Sequence, residues 1–212
     1  MERYIGTYQT FQTVSRKEAA DLIGADNLIG DRYTIECTIE DGIQKAWLVN
    51  RFQRRIGCFE PAYSRSLSIL KAQGMVLTAL LSFVAFTDHP EPGYYWGEAA
   101  VIAYDPAYRG AMEPFIAGLS KEMAKGRRPR VNLETKGVDQ IIQSQGSWLP
   151  TDTVPYPAKK KGTALVKTHR SITERLVEES RKGNKGCYLL SWAFLLAVVA
   201  AIIFGLKSCG VF

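Results

Sequence analysis

Twenty consecutive residues near the C-terminus, Cys187 to Leu206 (CYLLSWAFLLAVVAAIIFGL), carry no charge. At ~1.5 Å per residue a helix of that length spans ~30 Å, the hydrocarbon thickness of a bilayer. Tyr188 and Trp192 lie toward its first turns, where amphipathic rings favour the headgroup region. A buried core helix of this length ordinarily keeps a polar stripe, and this segment has none. It predicts one transmembrane helix over 187–206, with a short tail at 207–212. The other long apolar run, Met75 to Phe86 (MVLTALLSFVAF), has twelve residues. That is too short to cross, and its β-branched and aromatic content suits a buried strand. The N-terminus has no apolar stretch of the signal-peptide kind, so the expectation is a tail-anchored, single-pass protein.

Charge is distributed unevenly. Residues 1–158 hold 17 Lys/Arg against 18 Asp/Glu, a balance of −1, whereas residues 159–212 hold 10 against 3, a balance of +7. A uniformly cationic nucleic-acid coat is thereby excluded. Before the apolar segment stand Lys167, Arg170, Arg175, Arg181, Lys182 and Lys185; after it stands Lys207. Positive flanks remain cytoplasmic, which places the protein in the cell membrane with its N-terminal domain in the cytoplasm. Cys37 and Cys58 then sit in a reducing compartment, where no structural disulfide is expected.

Ser171-x-x-Glu174 is a capping box that opens a juxtamembrane helix within 171–186, reaching about Lys182 and broken by Gly183 and Gly186. Arg175/Glu179 and Glu178/Lys182 are oppositely charged i,i+4 pairs along it. Lys159, Lys160 and Lys161 either lean on anionic lipid or only help to set topology. Inside the span, Ala193, Ala197, Ala201 and Gly205 recur every fourth residue. Such a stripe lets two helices approach and form a homodimer, or it reflects the ordinary abundance of alanine in spans. The lipid bilayer is in either case a partner.

The region ahead of the linker reads as one globular unit. Ser15-x-x-Glu18 opens a short helix that closes at Gly24, giving a helical extension over 1–27. Arg32 to Glu40 alternates strictly, with Tyr33, Ile35, Cys37 and Ile39 on one face, the pattern of a half-buried strand. Asp41-Gly42 is a hairpin turn returning through Ile43 to Asn50. Ile56–Phe59 is a third short strand, and Pro61 to Gln73 a helix with Leu67 and Leu70 inward. Met75–Phe86 and Tyr94–Tyr104 are the two strongest strands. The fold class is α+β: a small bent β-barrel or sheet of five or six strands over 28–106 with short helices. A helical extension over 107–148 follows, with Phe115, Ile116, Leu119 and Met123 on one stripe. Residues 149–170, with Pro150, Pro155, Pro157 and the lysine tract, read as a linker.

The chain shows no G-x-S-x-G elbow, Walker loop or G-x-G-x-x-G fingerprint, so no catalytic residue and no cofactor is assigned. His89 and His169 stand alone, and Glu98 and Asp105 form no recognisable acid–base pair. A hydrolase would need a pocket gathering Glu98, Asp105 or His89. Four cysteines (37, 58, 187 and 209) without C-x-x-C spacing predict no metal site. Arg32-Tyr33, the loop with Arg54 and Arg55, and Tyr95-Trp96 set cations beside aromatic rings, the combination that single-strand binders use.

Gly30-Asp31-Arg32-Tyr33, Ala46-Trp47-Leu48-Val49, Ile56-Gly57-Cys58-Phe59 and Gly93-Tyr94-Tyr95-Trp96-Gly97 occur in this order over residues 28–106. In these motifs the chain resembles the HIRAN domain, a small barrel found alone in bacteria and attached to helicase-like DNA-repair proteins in eukaryotes. The resemblance implies binding of single-stranded DNA ends through Arg32 and Tyr33. Where the family has an Asn-Pro-Tyr-Asp turn this chain has Glu40-Asp41-Gly42-Ile43-Gln44, and Cys58 stands where the resemblance implies a polar or histidine residue.

Two functions follow as expectations: a membrane-anchored, HIRAN-like domain that recognises single-stranded DNA through Arg32, Tyr33, Arg54, Arg55, Tyr95 and Trp96, or a non-enzymatic adaptor that holds a protein partner at the membrane. Both require the anchor. On cell lysis and ultracentrifugation, full-length protein is expected in the membrane pellet, released by detergent and not by high salt; recovery in the aqueous fraction would contradict the anchor.

Overall fold

The strict alternation of Arg32–Glu40 folds as a strand, but the sheet starts earlier in the chain. Tyr4–Gln12 forms β1, Arg32–Glu40 β2, Ile43–Val49 β3, Arg55–Phe59 β4, Val76–Thr87 β5, Tyr94–Tyr104 β6 and Thr163–Lys167 β7. Helices α1 (Arg16–Ile23), α2 (Pro61–Ala72), α3 (Arg109–Ala124) and α4 (Thr135–Gln143) lie between them. These elements come from a computed structural model, which describes residues 3–158, 160–175, 194–196 and 198. The described residues belong to two units, Met1–Arg170 and Ser171–Phe212.

In the first unit the strands run β2-β3-β4-β1-β6-β5-β7, and β2 also pairs with β5. That extra pairing closes six antiparallel strands into a barrel. The turn at Asp41 (φ 52°) and Gly42 (φ 76°) has the two left-handed residues that a tight hairpin between twisted strands requires. Phe11 on β1 fills the interior between Gly57 and Gly97 on the neighbouring strands; a Cβ on either glycine would collide with its ring. Tyr33, Ile35, Leu48, Ile56 and Ala79 complete this part of the core.

The expected helical extension over 1–27 is therefore only half helical. Residues 16–23 form α1, with Ser15 accepting the Glu18 N–H at 3.2 Å as the capping box requires. Residues 4–12 instead form a central strand between β4 and β6. Its buried positions change parity, Tyr4 and Gly6 at one end and Phe11 at the other, so no period-2 pattern marks it.

β5 reads as a continuous apolar run because both of its faces are covered. One face looks into the barrel. The other lies under α3 and the segment that follows it, and eight successive residues are buried. The expected stripe of Phe115, Ile116, Leu119 and Met123 is buried as α3 packs there, each side chain contributing about 2 kcal/mol of burial as an upper bound.

The segment expected as a linker over 149–170 is held against the barrel. The Arg130 N–H donates to Asp152 O at 2.8 Å and the Val154 N–H to Arg128 O at 2.7 Å. Thr163–Lys167 then adds to the sheet as β7, paired with Val84–Thr87 of β5. Lys167 Nζ donates to Gly24 O (2.8 Å) and Asn27 O (3.1 Å). Arg170, 5% exposed, donates to Ile29 O at 2.6 Å and pairs with Asp31 at 3.1 Å. Two cations read as topology signals thus serve the fold.

In the second unit, Ser171 and Glu174 make the expected capping box, with the Ser171 N–H donating to Glu174 Oε2 at 2.8 Å. Tyr188, Trp192, Ala197, Ala201 and Gly205, together with the rest of the juxtamembrane helix, lie outside the described residues. Residues 194–196 and 198 are helical. Among the described residues no helix is long and apolar enough to cross a membrane.

The packing of 160–170 predicts a difference between two truncations. A chain ending at Ala158 loses β7 and leaves the partly buried Asp31 without Arg170, a loss of about 3 kcal/mol. Its thermal midpoint is expected about 6–12 °C below that of a chain ending at Arg175, read by circular dichroism. Equal midpoints would mean that 160–170 is a linker after all.

Candidate binding surfaces

Successive side chains on a strand point to opposite faces, and this divides the residues expected to bind nucleic acid. Arg32 opens β2 and faces outward; Tyr33 faces the core and is 1% exposed. The Tyr33 hydroxyl donates to Asn27 Oδ1 at 3.1 Å, and Asn50 Nδ2 donates to the same oxygen at 3.2 Å. Burial pushes this phenol well above its ordinary range. Tyr33 is thus a core residue of a polar network and does not stack on a ligand.

Arg32 meets Glu113 of α3 through both terminal nitrogens, one at 2.9 Å, and its Nε donates to Thr78 Oγ1 at 2.9 Å. Tyr104 also donates to Glu113, at 2.9 Å. The hydrogen bond from Arg32 pulls the Glu113 carboxyl below its usual range against partial burial.

Arg54 and Arg55 separate in the same way. Arg54 pairs with Asp21 at 3.2 Å and Asp26 at 3.6 Å. Arg55 pairs with Glu36 at 3.1 Å and Glu40 at 3.0 Å, and lies 4.9 Å over the Trp47 ring. Tyr95 packs on Phe86 at 4.9 Å between ring centroids; Trp96 turns to the other face and packs on Phe83 at 5.5 Å. Arg32 lies opposite Leu80 on β5, and Tyr95 opposite Phe86. Six residues of strand keep them about 20 Å apart. The six residues form no common surface.

A buried cation that sequence reasoning passed over organises the outer face. Arg128, 3% exposed, pairs with Glu98, donates to Pro155 O, and donates to Ser82 Oγ at 3.0 Å. Its guanidinium lies 4.6 Å from the Tyr8 ring centroid, 4.9 Å from Tyr156 and 5.5 Å from Phe83. Ser82 sits at a bulge between Leu81 and Phe83, which turns its hydroxyl toward this cluster. Burial raises the Glu98 carboxyl, outweighing the opposing pull of Arg128. Glu98 is therefore held in a structural pair. Asp105 caps the turn at Pro106–Tyr108 by accepting the Ala107 N–H at 2.9 Å, and His89 is an exposed loop residue. The three do not converge as a hydrolase would need.

Among the described residues no group of His, Cys, Asp and Glu could hold a metal ion. Cys37 pairs in register with Ala46, and Cys58 with Trp47. A whole strand, β3, therefore lies between the two thiols, about 10 Å across, too far for a disulfide.

Two open grooves adjoin Tyr95 and Trp96. One of about 520 Å³ lies on the outer face, between Trp96, Pro157, Lys160 and β7. Another of about 500 Å³ lies between α1 and the β5–β6 hairpin, with Val14, Ile23, Tyr94 and Tyr95. The first was hidden because Thr163–Lys167 alternates for only five residues behind a lysine tract; Gly162 was its one local signal.

The Arg32–Glu113 pair carries a pH-dependent prediction. A depressed carboxyl contributes stability that is present above the ordinary glutamate value and lost as pH falls through its folded value. Both partners are about 40% exposed, so Arg32→Ala is expected to lower stability at pH 7 by no more than about 1 kcal/mol. Urea unfolding should show that difference shrinking below about pH 4. A constant difference across pH would contradict the pairing.

The buried pair behaves differently. Arg128→Met is expected to destabilise by about 3 kcal/mol, because Glu98 is left buried without a cation, and adding Glu98→Gln should recover most of the loss. Additive effects of the two substitutions would show that the groups are not coupled.

Comparison of the chain with known protein families, with curated proteins and with solved structures finds no match.

Proposed function

We propose that this chain is a non-catalytic adaptor whose barrel, of the HIRAN-like kind implied by the resemblance, holds a protein partner at the cytoplasmic face of a membrane, with the apolar segment 187–206 as its anchor. The observation that carries this reading is the internal neutralisation of the arginines. Arg32, Arg54, Arg55 and Arg128 each meet carboxylates of their own chain.

Nucleic-acid affinity comes largely from free cations that displace counterions from phosphate. A guanidinium already bridged to a carboxylate adds little to that, and residues 1–158 have a balance of −1. Protein recognition asks for something else: partly apolar depressions with a polar rim, whatever the net charge. The grooves beside Trp96 and beside α1 have that composition. Tethering to a bilayer adds effective concentration for any partner at the same surface.

Two measurements test this together. Labelled single-stranded DNA titrated against the full-length chain at about 50 mM salt, where phosphate contacts are strongest, is expected to show no specific binding. Crosslinking in cells is expected to recover a partner that survives nuclease treatment. Binding of DNA that falls steeply with salt and disappears on Arg32→Ala would overturn the adaptor reading in favour of the nucleic-acid one.

A further inference from the structure

The first unit ends at Arg170, and the place where it ends is pinned by α3. The Arg170 N–H donates to Ala124 O, in the last turn of that helix, at 3.0 Å. A Cβ added to Gly126, just past the helix, would lie 3.2 Å from the Cβ of His169. The chain therefore leaves the barrel unit beside the C-terminal end of α3. Sixteen residues, 171–186, separate this point from Cys187, where the apolar segment opens. Even fully extended they span no more than about 55 Å, so an anchored chain keeps this end of α3 within that distance of the membrane surface.

The same end of α3 is basic. Lys121, Lys125 and Arg127 are all exposed, the last two with 62% and 58% of their side chains accessible. One carboxylate serves them: Glu122 pairs with Lys125 at 2.7 Å and with Arg127 at 3.0 Å. Among the described residues no carboxylate pairs with Lys121, which stands on the same helical face as Lys125, four positions on. Three cations against one carboxylate leave a local balance of +2. Arg32, Arg54 and Arg55 differ, because each meets a carboxylate that no other arginine uses. Cations at a helix C-terminus complement the helix dipole. That accounts for Lys121 and Lys125, but not for Arg127 beyond the helix.

We propose that the C-terminal end of α3, with Lys121, Lys125 and Arg127, is the surface that the barrel turns toward the anionic lipid headgroups of the cytoplasmic leaflet. Those headgroups hold a negative potential that attracts cations within a Debye length, about 8 Å at physiological salt. The uncompensated positive charge and the point where the chain departs for its anchor coincide here, so tether and charge draw the same end of the barrel to the bilayer. The contact fixes the orientation of the barrel at the membrane. The inference rests on the anchored reading and deepens it by naming the surface that meets the lipid.

The test reconstitutes the full-length chain in nanodiscs of phosphatidylcholine, either alone or mixed with phosphatidylserine, and reads lysine acetylation by mass spectrometry. With phosphatidylserine present, the reactivity of Lys121 and Lys125 is expected to fall at least about 3-fold relative to phosphatidylcholine alone. Lys71, exposed on α2, should react equally in both. The protection should vanish at about 1 M salt, where the Debye length is about 3 Å. Lys121 is exposed, so Lys121→Glu keeps the fold, and it should remove the protection of Lys125. Equal reactivity of Lys121 and Lys125 in the two lipids, or protection unchanged by salt and by Lys121→Glu, would overturn the assignment of this surface. The anchor survives that result as long as the chain stays with the nanodisc. A chain that incorporates into nanodiscs of neither composition would remove the anchored reading, and this inference with it.

Discussion

β5 has more hydrogen-bonding length than β2 can use, and the architecture of the first unit depends on how the remainder is filled. Thr78 to Leu80 pair with β2 and close the barrel; Val84 to Thr87 extend past that closure and pair with β7. Between the two stretches, the register slips at Ser82. The bulge presents a hydroxyl on the outer face, where Arg128 takes it. One strand therefore closes the barrel, recruits the C-terminal segment and anchors the cation that pins the covering loop.

This arrangement accounts for the chemistry of the surface. A chain that crosses the outer face twice brings its carboxylates within reach of arginines distant in sequence. Glu113 reaches Arg32 from 81 positions away, and Arg170 reaches Asp31 from 139. Such pairs are worth little where exposed and are costly to break where buried, so they act chiefly to fix where the covering segments lie. A side effect is that Arg32, Arg54, Arg55 and Arg128 are compensated by carboxylates of their own chain.

Much of the barrel was legible from local pattern. Arg32–Glu40 alternates without exception, Asp41-Gly42 names its own turn, and Phe115, Ile116, Leu119 and Met123 form one helical stripe. β1 escaped because Tyr4 and Phe11 are buried on different faces of the same strand, which erases the alternation. β7 escaped because five residues behind Lys160, Lys161 and Gly162 resemble the end of a linker. The candidate site was legible only in part. That Arg32 and Tyr33 face opposite ways follows from strand geometry alone. That Arg32, Arg54 and Arg55 each find a carboxylate depends on long-range packing and could not be read from neighbours in the chain.

The account stands or falls on Thr163–Lys167 belonging to the folded barrel. Amide hydrogen exchange measured along the full-length chain tests this most directly. Protection at Ala164–Val166 within reach of that at Val84–Thr87 is the predicted result. Exchange of Thr163–Lys167 at the rate of an unstructured chain, with β5 still protected, would contradict it.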